Sequence, residues 1–319
     1  MCPREPSIAL RDDPRWYTPS DLPDEVRAFD DPVREGLGVG AAGKVGLLDL
    51  ALSRHAGVTR VHRHYQRGPL HVLRPIHLDY GRPDMAFLYV QQSGDGLVQG
   101  DRYRVDVDCE RGSATHVTSQ AATNVFGACQ SFASQLVNLR VGAGAVLEYL
   151  PDPVVPFRGS RLFQRTRVTV DPEATVILGE TLLPGRVARG EAHAYDLYWS
   201  ETQVRRPDDT LLFADVLRLN PRAGESPTSI GLLNAHSVIA ALYVISGQTD
   251  PADIVAVMRT ALAAHREVLA GASELPSGCG VAARLLGPTS KAVQGALRSA
   301  WNAARLELLG VPAPDLRKG

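Results

Sequence analysis

The sequence predicts a mainly β protein: many short strands coiled in an irregular β-helix-like or stacked-sheet body, followed by two amphipathic α-helices. Three observations carry this. From about Gly43 to Leu219, apolar and polar residues alternate in short runs broken by Gly, Pro and Asp, the signature of strands and turns. The breaks come too close together for crossover helices, which excludes a doubly wound α/β sheet. Past Pro221 the apolar period lengthens from strand to helix spacing. A sheet with so many strands hides its edges by closing, by stacking on a second sheet or by coiling into a solenoid, and the sequence does not choose among these. It carries no internal repeat of fixed period, so a solenoid would be an irregular one.

In chain order, residues 1–40 are polar and Pro-rich and are expected to form a flexible arm, with a single β-rich domain over 41–319. They lack the basic stretch and apolar run of a signal peptide. "RYRVDVDCE" is the clearest strand. Tyr103, Val105, Val107 and Cys109 fall on one face, and Arg104, Asp106 and Asp108 on the other. "MAFLYVQQ", "AVLEYL", "RTRVTV", "TVILGETLL" and "DLYWSETQVRR" belong to the same class. A helix is expected over about 250–270, with Asp250 as N-cap, Pro251 in the first turn and Gly271 past the end. A second is expected over 290–309, where Val293, Leu297, Ala300, Trp301, Ala304 and Leu308 form a stripe closed by Gly310 and Pro312.

Composition excludes several functions. With 34 Lys and Arg against 35 Asp and Glu, the chain has no excess of positive charge for nucleic acid or an anionic membrane. No apolar run approaches the roughly 20 residues of a membrane span. The cysteines, Cys2, Cys109, Cys129 and Cys279, are scattered without a disulfide framework, which suits reduced thiols and a cytoplasmic protein.

Several stretches hold chemistry-bearing residues. "SGDGLVQGD" (93–101) has the glycine density of a phosphate loop, but strands flank it where a phosphate site needs a helix N-terminus, so a hairpin turning at Asp95-Gly96 is expected. "HRHY" sets His62 and His64 on one strand face, with His55 and His71 nearby, a pairing that suits nickel, zinc or copper but more often marks a solvated face. "GETLLPGRVARGEAH" offers Glu180, Arg186, Glu191 and His193, either an acid–base group or a structural network. "LEYLPDPVVPF" adds Glu148 and Asp152 in a Pro-stiffened segment, as cation ligands or turn caps. There is no GxSxG and no HExxH. A small-molecule enzyme centred on Glu180, Arg186 and Glu191 is the alternative to a non-catalytic protein, and it requires those side chains to converge on one deep pocket.

Taken in order, "GPLHVLRP" (68–75), "SGDGLVQGDRY" (93–103), "VTSQAATNVF" (117–126), "LEYLPDPVVPF" (147–157) and "GRVARGEAH" (185–193) resemble the blocks of the urease accessory protein UreD/UreH family. "RLLG" followed by "ALRSAWNAARLELLGVPAP" is similar to its closing helix. The resemblance implies a non-enzymatic scaffold or metallochaperone. With the accessory proteins UreF and UreG, such a scaffold docks on apo-urease and assists nickel insertion, two such hetero-complexes being able to pair. It further implies that GTP belongs to the partner GTPase UreG, and that this chain holds no tight cofactor. Nickel(II) would then pass transiently along an internal polar route, for which the matching acids are Glu148, Asp152, Glu191 and Asp101, with His62 and His64 as further metal contacts. The sequence departs from the family where Thr118-Ser119 replaces a Thr pair, where Asn124 replaces a basic residue, and where "PDLRKG" lacks an aromatic.

Overall fold

The computed structural model describes residues 11, 13, 16–30 and 43–318. After a single helical turn, α1 (Asp24–Arg27), come β1 (Val45–His55), β2 (Val58–Arg67), β3 (Leu70–Val72), β4 (Ala86–Gln92), β5 (Arg102–Cys109) and β6 (Ala114–Ser119). They are followed by β7 (Thr123–Val125), β8 (Ala133–Val141), β9 (Val146–Tyr149), β10 (Val154–Pro156), β11 (Arg161–Val170) and β12 (Thr175–Leu182). The chain continues through β13 (Leu197–Arg205), β14 (Leu211–Leu219), β15 (Val238–Ser246), α2 (Pro251–Ala263), β16 (Leu269–Glu274), β17 (Gly280–Gly287) and α3 (Ser290–Leu309).

The strands form two stacked sheets, and the chain crosses between them as it winds. One sheet runs β14-β13-β11-β8-β5-β1-β2; the other runs β16-β17-β15-β12-β9-β6-β4-β3, with β7 and β10 at its side. In the middle of each sheet, neighbours are parallel and in register, as in β5 with β8 and β6 with β9. This is a β-solenoid-like stack of coils. Antiparallel pairs close both ends: β1 with β2 and β3 with β4 at one, β13 with β14 and β15 with β17 at the other. The free edge at β2 carries Arg60, His62, His64 and Gln66, and such a polar edge discourages pairing with another chain.

Period-two patterning sets the layers. β5 buries Tyr103, Val105, Val107 and Cys109 between the sheets, as its alternation predicts. β15 is buried along its whole length because the two helices cover its other face. There Ile254, Met258, Leu262, Val293, Ala296 and Trp301 pack on Leu242, Val244, Ala283 and Leu285.

Three expectations are corrected. The loop 93–101 is not a hairpin: β4 lies in one sheet and β5 in the other, so the loop is an arch that carries the chain across. Its Gly96 has φ +149°, and a Cβ there would meet the Asn124 carbonyl oxygen at 2.3 Å. Gly94 also has positive φ, yet faces open space. Gly96→Ala is therefore expected to destabilise the protein by more than about 1 kcal/mol, and clearly more than Gly94→Ala, in urea unfolding. The first long helix ends at Ala263, and Leu269–Glu274 with Gly271 is strand β16, because pairing along β17 outweighs the helical periodicity that runs on through Val268.

The stretch expected as a free arm packs against the body over residues 16–30. Leu22 and Val26 enter an apolar cluster with Phe132, Phe163 and Leu197. Asp21 pairs with Arg165 at 2.7 Å, Glu25 with Arg218 at 2.6 Å, and the Arg104 guanidinium lies 4.1 Å from the Trp16 ring centre. Over residues 1–10 and 31–40 the arm expectation lies outside the described residues. Among the described residues no helix is long and apolar enough to cross a membrane, and Cys109, Cys129 and Cys279 are free thiols.

Candidate functional site: a polar seam beneath the closing helix

In-register stacking builds the site. Phe87 of β4, His116 of β6 and Glu148 of β9 stand in one row across the outer face of the larger sheet, beneath α3. Glu148 Oε2 lies 2.7 Å from His116 Nδ1, and both side chains are fully buried. On the same Glu148, Oε1 faces Arg305 Nε of α3 at 3.1 Å, close enough for an ion pair but not aligned as a hydrogen bond. Arg305, itself fully buried, donates from Nη2 to Asp79 Oδ2 at 2.6 Å. Asp79 is aimed by its own turn, where its Oδ1 accepts from Gly81 N and Arg82 N. The His116 ring is held between Phe87 and Trp301, with centroids 4.9 and 5.5 Å away. Its Nε2 has no protein partner, nor does Arg305 Nη1. A carboxylate on one nitrogen and a free second nitrogen is the arrangement that orients an imidazole toward a metal ion.

Two residues along β6 from His116, about 7 Å on, the seam continues. Thr118 of β6 and Asp152, just past β9, both contact Lys318 Nζ, at 2.7 and 2.8 Å. Ser119 Oγ donates to Asp152 Oδ2 at 3.2 Å and accepts from Asp152 N at 2.7 Å. Glu148 and Asp152 are thus each met by a cation from the layer that covers the sheet. The two cations differ in access: Arg305 is sealed, whereas the Lys318 and Asp152 side chains are 24% and 23% exposed.

Behind this seam lies a cavity of about 290 Å³, lined mainly by the blocks 91–96, 117–124 and 149–151, with Tyr103 and Gln135. Thr118 and Ser119 border it, and so does Tyr103, whose hydroxyl donates to Asp101 at 3.3 Å. Asp101 also accepts from Lys44 N and Val98 N at 2.8 and 3.0 Å, so its oxygens brace the arch. Burial pushes its carboxyl above the ordinary carboxylate range, against the pull of those bonds.

The remaining candidates lie elsewhere. Glu191 is clamped by Arg186 through two bonds of 2.7 and 2.8 Å, which hold its carboxyl below the usual range. His62 pairs with Glu110, and His64 with Gln66, on the exposed face of β2. His193 contacts Tyr195, and burial lowers the pKa of its imidazole. Among the described residues, no three His, Cys, Asp or Glu groups are arranged to hold a metal ion. A weak series of single carboxylates is what the seam offers.

Glu180, Arg186 and Glu191 do not form one centre. Glu180 points into the space between the sheets, where it accepts from Ser200 Oγ at 2.9 Å beside Tyr198, Tyr243 and Asp215, while Arg186 and Glu191 close on each other. Burial raises the Glu180 pKa. A raised acid favours the folded state only while protonated: its contribution is full below the ordinary Glu range and is lost as pH rises through the folded value. Glu180→Gln is therefore expected to gain stability on wild type between about pH 4 and about pH 8, as urea unfolding at the two pH values will measure.

His116, Asp79 and Arg305 were not singled out from sequence. One signal was available: "ATHVTS" places a lone imidazole in an apolar strand, two residues before Thr118.

In this fold of coiled sheets under a helical cover, the seam acids Glu148 and Asp152 are matched by the chain's own cations, Arg305 and Lys318. The chain belongs to the UreD urease accessory protein family, whose model matches residues 44–318. It is 41% identical to urease accessory protein UreD 2 of Streptomyces griseus, over 90% of this chain and 98% of the relative. It is 34% identical to urease accessory protein UreD of Cenarchaeum symbiosum, covering 88% and 99% of the two chains. With the UreD of Haloarcula marismortui it shares 35% identity, over 88% and 92%.

Proposed function

We propose that this chain is a cytoplasmic, non-catalytic urease maturation factor that works with UreF and the GTPase UreG on apo-urease, and that its cargo is nickel(II). The observation that carries this reading is the seam: Glu148, with the oriented imidazole of His116, and Asp152, four residues further along the chain beside Thr118 and Ser119, run under one cover. Transfer requires contacts weak enough to release the ion, and isolated oxygens with one imidazole provide that where a closed ligand set would trap it. The nucleotide stays on the partner GTPase, in keeping with an arch at 93–101 that opens no helix.

Co-expression tests the reading. Urease made with its other accessory proteins is expected to carry nickel and activity when this chain is present, and to lose most of both when it is omitted. Equal nickel content in the two preparations would overturn the assignment.

A further inference from the structure

We propose that Lys318 is a tethered cation that holds the Asp152 end of the seam shut, and that a divalent cation enters there only when Arg317 and Lys318 swing away from Asp152. The inference rests on the reading that a metal cargo passes Asp152. It adds a gate that the reading does not require.

The geometry is that of a cation already in place. The Lys318 ammonium sits 2.7 Å from Thr118 Oγ1 and 2.8 Å from Asp152 Oδ2, two oxygens of the kind a hard or borderline metal ion accepts. Ser119 Oγ steadies the same carboxylate oxygen, and Thr118 Oγ1 donates to Leu150 O at 2.6 Å, which leaves its lone pairs toward the ammonium. The positive charge therefore occupies the position from which these oxygens would bind an incoming ion.

The segment that brings Lys318 here is fastened up to Leu316 and only lightly beyond it. Ala313 N donates to Asn302 Oδ1 at 2.8 Å, Tyr89 Oη donates to Leu316 O at 2.7 Å, and Leu316 packs on apolar neighbours. Next comes Arg317, with φ +52°, a left-handed conformation that costs a non-glycine residue energy. Asp315 Oδ1 caps that turn through Arg317 N at 3.0 Å. A strained residue placed directly before the ammonium aims it at Asp152 and favours its release. Both partners are about a quarter exposed, so water can replace the contact without unfolding the body. Arg305, sealed between Asp79 and Glu148, has no such freedom.

The test is Ni²⁺ binding to the full chain by titration calorimetry, for wild type, Lys318→Met, Asp152→Asn and the double variant. If the site is open only about a tenth of the time, removing the tethered charge tightens apparent binding about tenfold. The gain is expected to vanish in the double variant, with the melting temperature of Lys318→Met close to wild type. Equal affinity with and without Lys318, no detectable binding in either, or a gain that survives Asp152→Asn overturns the gate. Asp152-dependent binding that ignores Lys318 would remove the gate and leave the nickel route standing. A urease fully loaded by Asp152→Asn would strike at the route itself.

Discussion

Arg305→Met is expected to lower the stability of the protein by about 3–5 kcal/mol, because it removes one partner from a buried ion network and leaves the others charged in an apolar setting. Asp79 and Glu148 would then face each other's charge with no guanidinium between them, and both are almost completely buried. In thermal unfolding the loss corresponds to a drop on the order of 5–10 °C for a chain of this length. The desolvation argument makes a second, sharper statement. Neutralising the stranded acids in the triple variant Arg305→Met, Asp79→Asn, Glu148→Gln is expected to restore most of the loss, since a buried network replaced as a whole is often close to neutral. A triple variant as unstable as the single one would mean that the guanidinium acts through its packing on Trp301, whose ring centre lies 5.7 Å away, and not through its charge.

How much of this was legible depends on how local the cause is. The alternation in β5 and the unbroken apolar run of β15 depend on burial of their own faces, and both are visible residue by residue. The cap of α2 is equally local: Asp250 accepts from Ala252 N and Pro251 opens the first turn. Its end is not, because the periodicity through Val268 is overruled by a partner strand that begins at Gly280. The Asp95-Gly96 pair likewise specifies a bend but not which sheet receives the next strand, so an arch resembled a hairpin. Residues 16–30 look like a polar arm because their apolar contacts, Trp16, Tyr17, Leu22, Val26 and Phe29, are scattered among charges and prolines, and the charges turn out to have partners more than 140 residues away. The site divides in the same way. Glu148 and Asp152 stand out within one short block, whereas Arg305 and Asp79 are 226 residues apart and meet only through the fold.

Of the two seam acids, Asp152 separates function from folding, and its replacement is the substitution expected to damage delivery most cleanly. Asp152→Asn keeps the shape and the bond from Asp152 N to Ser119, and it breaks an ion pair that solvent already reaches, so its stability cost is at most about 1 kcal/mol. The nickel content of co-expressed urease is nonetheless expected to fall about tenfold, the lower end of what changing even a group behind a metal ligand typically costs. Glu148→Gln behaves differently, because it also leaves Arg305 with Asp79 as its one remaining acid. Lower nickel content is there accompanied by a lower melting temperature, and the amount of folded chain has to be measured alongside the metal. If both variants accumulate as folded protein and load urease to the wild-type level, the seam is a structural network and the cargo travels elsewhere. Reduced loading by Asp152→Asn at wild-type stability does not fit a purely structural network, whose loss would show in the melting temperature. It would place the carboxylate on the path of the ion.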